Sequence, residues 1–272
     1  MPENTRPARL ASRIFAAKAV DVPKRVASGR RAVEQVRSTN CIEGYDIVVP
    51  RHPTLVYDCG ETAAALREEF KGDDFVTVEE VAGDQYVQVL NHVIGRHYLA
   101  GVWSLLMSPS AYQYCTRGNV SRMIEALESG AYATGLALEE LKESVLRGEI
   151  TNTFSGYDPA KLLSVGSFHC ISADGEDRPR VGPNGEYRLS GVEEVVPLAL
   201  LADRYGPGIA PILPQRWEEW LAPDPVQDPE GSKKHLASLA SKGIRKTAML
   251  RARNLTHLAI ANAVLPAYRI SH

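Results

Sequence analysis

The stretch Gln85–Met107, QYVQVLNHVIGRHYLAGVWSLLM, decides how the chain reads. Val87, Leu90, Ile94, Tyr98, Val102 and Leu105 recur at steps of three or four, the period of one helix face. Val89, Val93, Leu99, Trp103 and Leu106 put apolar groups on the other faces, and a helix apolar nearly all round belongs in a core. Asp84 precedes the stretch as a cap, and Ser108-Pro109 ends it. The expectation is one buried central helix. Its most apolar run, Val93–Met107, contains Arg96 and His97 and falls short of the ~20 apolar residues of a bilayer span.

One stripe of this helix is polar. Gln88, His92 and Arg96 stand at i, i+4 and i+8, with Ser104 two turns further on. A buried arginine needs a partner and a buried histidine a hydrogen bond. Two readings follow. In one, the stripe is a pocket wall on which Arg96 holds an anion and His92 moves a proton. In the other, it reaches water or is satisfied within the fold, as structural ion pairs are. His169 is a third candidate for proton transfer, on a strand expected over Val165–Ile171. Its neighbour Cys170 would face the opposite side of that strand, so the two do not form a catalytic pair.

Outward from the centre, the sequence before it supplies short β-type runs at Tyr45–Val49, Thr54–Tyr57 and Phe75–Val78, with a helix over Glu61–Phe70. Residues 7–37 read as a basic amphipathic helix interrupted by Pro23. After the centre come helices over Val120–Glu128, capped by Asn119, and over Leu136–Arg147. Tyr112, Tyr114, Arg117 and Asn119 form a polar-aromatic cluster, either a platform for a planar ligand or packing residues with wet tips. Residues 173–191 read as a long exposed loop, Val195–Leu201 as a short apolar run, and Gly206-Pro207-Gly208 as a turn. Residues 222–232, APDPVQDPEGS, read as a linker. A basic helix from Lys233 to Arg253 and a second over Leu255–Leu265, capped by Asn254, follow it.

Composition narrows the class. A chain of 272 residues can bury a large core. Four cysteines, far apart and without a CxxC pair, argue against a locally spaced zinc site and a disulfide scaffold, and point to a reducing cytoplasm. No cofactor or metal is expected, and no secretory h-region or membrane span is seen. The net charge of −2 hides an asymmetry. Residues 1–37 carry nine Lys/Arg and three acids, a balance of +6. Residues 231–272 carry eight Lys/Arg and no acid, +8, and the middle carries 14 bases and 30 acids, −16. Such a distribution suits a polyanion-binding face, contacts between copies of the chain, or basic ends packed on an acidic middle.

The hexapeptide TNCIEG, with Thr39, Glu43 and Gly44, resembles the inhibitory motif (S/T)xxxE(G/N) of Fic-type AMP-transferases. The catalytic signature of that family, HPFxxGN with a following basic pair, is absent, so the resemblance implies no transferase activity. No Walker loop, GxSxG, HExxH or EF-hand pattern occurs either.

The sequence thus predicts an α+β, predominantly helical fold, with a small β element beside a buried central helix. Residues 1–221 form the main domain, 222–232 a linker and 233–272 a basic helical segment. Three functions fit. The first is a protein engaging nucleic acid or another polyanion through Lys233, Lys234, Lys242, Arg245, Lys246, Arg251 and Arg253. The second is an enzyme acting on a phosphorylated or carboxylated small molecule, with His92, Arg96 and His169 as catalytic groups. The third is a self-assembling homo-oligomer, anchored by Trp217 and Trp220.

Overall fold

The computed structural model describes residues 8–13, 22–39, 54–57, 60–74, 76–80, 86–107, 109–137, 150–152, 154–166, 168, 194–213, 229–251 and 253–269. Their centre is a seven-stranded sheet. Its strands are β1 (Ala8–Arg13), β2 (Thr54–Tyr57), β3 (Thr77–Glu80), β4 (Trp103–Met107), β5 (Ala133–Leu136), β6 (Phe154–Tyr157) and β7 (Ile209–Ile212). They lie in the order β3-β2-β1-β4-β6-β5-β7. β1 pairs in parallel with β2 and β4, β2 with β3, and β5 with β7, while β6 runs antiparallel between β4 and β5.

The opening stretch splits in two, which corrects the expectation of a single central helix. Helix α3 covers Tyr86–Leu99, and Trp103–Met107 is β4, a central strand. Gly101, at φ 66, makes the reversal in a conformation that suits glycine. All five residues of β4 are buried. Trp103, Leu105 and Met107 join one core cluster and Leu106 another, so the strand feeds both faces of the sheet. A strand covered on both faces shows an unbroken apolar run, and periodicity alone does not separate that from a buried helix. The polar stripe is cut as well. Ser104 lies on β4 and its hydroxyl sits 2.8 Å from Nδ1 of His97, both buried.

The mixed, helix-rich α+β class stands. The finer picture changes, because the sheet is the centre and the former central helix is one of its flanks. Helices α1 (Val22–Thr39) and α4 (Arg117–Glu128) pack on one face, through Ala32, Val36, Val120, Met123, Ile124 and Leu127. Helix α2 (Gly60–Glu69) joins that layer through Val33, Ala63 and Leu66. The other face carries α3, α5 (Pro159–Ser164), α6 (Val195–Tyr205), α7 (Pro229–Arg251) and α8 (His257–Asn262).

Several local expectations shift for identifiable reasons. The helix expected over 7–37 is β1 followed by α1. Pro23 falls in the first turn of α1, where its missing N–H costs nothing, so it starts a helix instead of interrupting one. Leu136 closes β5 instead of opening a helix. Thr116, not Asn119, caps α4 by accepting from the Asn119 N–H, and the Asn119 side-chain amide donates to the Tyr114 carbonyl. Thr256, not Asn254, caps α8. The strand expected over Val165–Ile171 and the runs 45–49 and 138–149 lie largely or wholly outside the described residues.

The C-terminal helices are built into the core. Met249, Leu250, Ile260 and Ala263 are buried in the same apolar cluster as Leu90, Ile94 and Tyr157. Val264 forms a parallel bridge to Ile209 on β7. No helix among the described residues is long and apolar enough to cross a membrane.

Candidate functional site

The strand order supplies the first constraint. The chain winds outward from β1 to β3, then returns past β1 to form β4 on its other side. The order therefore reverses between β1 and β4, with α1 on one face of the sheet and α3 on the other. Open sheets of this type bind ligands outside the carboxyl ends of their parallel strands at such a reversal. Arg13 and Met107 close β1 and β4 on that edge.

Antiparallel β6 begins where β4 ends, since Phe154 pairs with Met107. Asn152, two residues before it, therefore sits at the same edge. Helix α6 precedes β7, which is parallel to β5, so Glu194 at its start comes to this edge too. The two side chains meet: Asn152 Nδ2 donates to Glu194 Oε2 at 3.3 Å. Lys246 of α7 reaches the other oxygen, with Nζ 3.2 Å from Glu194 Oε1. Tyr157 reaches back along its strand and donates its hydroxyl to Asn152 Oδ1 at 2.6 Å. All four residues are buried. Ser155, on the same face of β6 as Tyr157, is buried with its hydroxyl unpartnered.

This buried group is the strongest polar constellation among the described residues. Lys246 and Glu194 are only 10% and 6% exposed in their side chains, and a charge taken that far from water needs its partner. No sequence signal pointed to Glu194, Asn152 or Tyr157. With Lys246 they come from three separate segments, and their meeting depends on the placement of β6, α6 and α7. The one available hint was Glu194 standing directly before the apolar run Val195–Leu201.

The residues expected to be catalytic lie elsewhere. His92 Nε2 is 3.2 Å from Glu79 Oε2, and Arg96 Nη1 is 2.9 Å from Glu79 Oε1. Glu79 belongs to edge strand β3, three strands from β4, or roughly 14 Å at the usual strand spacing. Both side chains remain partly in water, 37% exposed for His92 and 59% for Arg96. The structure thus brings His92 and Arg96 together on one carboxylate, away from the reversal point. His169 lies outside the described residues.

Of the seven basic residues expected to meet a polyanion, Lys246 turns inward to Glu194. Lys233 and Arg251 are exposed, and Arg253 is half-buried. The side chains of Lys234, Lys242 and Arg245 are not among those described. In the polar-aromatic cluster, Tyr114 is buried and Tyr112 is covered by the Arg31 guanidinium, 5.8 Å from the ring centroid. Gln35 donates to the Cys115 carbonyl beside them, so this segment is clamped to α1. Burial pushes the Cys115 thiol up to about 12, which leaves it an inert core group. Thr39 ends α1 with its hydroxyl donating to the Val36 carbonyl, while Glu43 and Gly44 lie outside the described residues. No group of three or more His, Cys, Asp or Glu able to hold a metal occurs among the described residues.

No protein-family model matches the chain, and no curated protein matches it. Among solved structures it is similar to a 4-diphosphocytidyl-2C-methyl-D-erythritol synthase at 12% identity and a TM-score of 0.41, covering 87% of this chain and 99% of the other. It is also similar to a mannosyltransferase from Pyrobaculum calidifontis, solved with GDP-Man and Mn2+, at 13% identity and a TM-score of 0.43. That match covers 92% of this chain and 76% of the other. Such scores describe a loose likeness of shape and assign no function.

Proposed function

We propose that the protein is an enzyme acting on a phosphorylated or carboxylated small molecule, bound at the carboxyl edge of the sheet between β1 and β4. The observation that carries this reading is the reversal of strand order between β1 and β4, with the buried Glu194–Lys246 pair one strand away beside β6. A buried pair with its own hydrogen-bonded support is costly to assemble in a fold that gains little stability from it. Sites that handle charged substrates keep such groups, as structural ion pairs also do. In this reading Lys246 is the cation of the site, and Asn152 and Tyr157 hold its geometry. In the same reading His92 and Arg96, with Glu79, sit two strands out from β1, level with Arg13, and do not line the site.

The test is a titration of the full chain with nucleoside phosphates, sugar phosphates and dicarboxylates, followed by amide hydrogen exchange with any compound that binds. Binding should slow exchange at the ends of β1 and β4 and in residues 150–152. Protection mapped to β3 and α3 around Glu79 would instead assign the ligand to His92 and Arg96. Absence of binding across all three compound classes would refute the reading. The polyanion and self-assembly readings of the basic ends gain no support from the described geometry.

A further inference from the structure

We draw no further inference here: the strongest candidate, the partly water-exposed Glu79–His92–Arg96 cluster that joins β3 to α3, is a set of surface ion pairs in which one carboxylate meets both partners, and nothing among the described residues shows what would occupy it.

Discussion

Deleting residues 231–272 should unfold the protein. The segment looks separable in sequence, because an acidic, proline-rich stretch precedes it and its charge is uniformly basic. Its packing leads to the opposite outcome. Met249 and Leu250 are each 1% exposed, Ile260 is fully buried and Val264 is 3% exposed. Full burial of such side chains contributes about 1.5–3 kcal/mol each, so the four together supply about 6–12 kcal/mol. That rivals the roughly 5–15 kcal/mol by which a typical domain is stable. The deletion also strips the packing of α7 and α8 from α6, removes the bridge from Val264 to Ile209, and leaves Glu194 buried without Lys246. Far-UV circular dichroism and thermal unfolding of the full and truncated chains measure the effect. A truncated chain with a cooperative transition near that of the full protein would refute the reasoning and restore the C-terminal helices to a separate segment.

Other outcomes follow from single contacts. Replacing Gly208 by alanine should destabilise by about 1–3 kcal/mol, because its Cβ would stand 2.3 Å from Cδ1 and Cε1 of the buried Tyr132 ring. That ring is held by its hydroxyl to the Gly206 carbonyl at 2.9 Å, and in a Tyr132→Ala background urea titration should show little further cost. Lys246→Met alone should cost about 3 kcal/mol or more, whereas Glu194→Leu with Lys246→Met should restore most of it, a coupling that a double-mutant cycle reads directly. Arg96→Ala should change stability by less than about 1 kcal/mol, since its contact with Glu79 is water-exposed, and should leave ligand affinity unchanged. Cys115 holds its proton more tightly in the folded chain than in the unfolded one, where the thiol titrates near 9.0. Its contribution is therefore complete below pH 9.0 and declines as pH rises toward about 12. Cys115→Ala should flatten the stability profile in that window, and the native thiol should resist alkylation at neutral pH.

What the amino-acid sequence determined by itself is whatever rests on local chemistry. Thr54–Tyr57 is the strand expected, and α2 and α4 lie within a few residues of the helices expected. Gly206-Pro207-Gly208 turns the chain between α6 and β7, as glycine and proline dictate at neighbouring positions. The basic C-terminal helix likewise falls close to its expected span. These features need only a period, a cap or a breaker. Tertiary structure decided the rest. Val102–Met107 carries an apolar pattern that a helix and a doubly covered strand both satisfy, and only pairing with β1 on one side and β6 on the other makes it a strand. Ala8–Arg13 belongs to β1 for the same reason, since its ladder partners are 43 or more positions away in sequence at Thr54–Val56 and at Trp103–Met107. Glu194 and Lys246 are 52 positions apart, and neither has a neighbour in sequence that announces the other. A buried ion pair forms through space, from elements whose placement depends on the packing of the whole sheet, so it leaves no periodic trace in the sequence that folds around it.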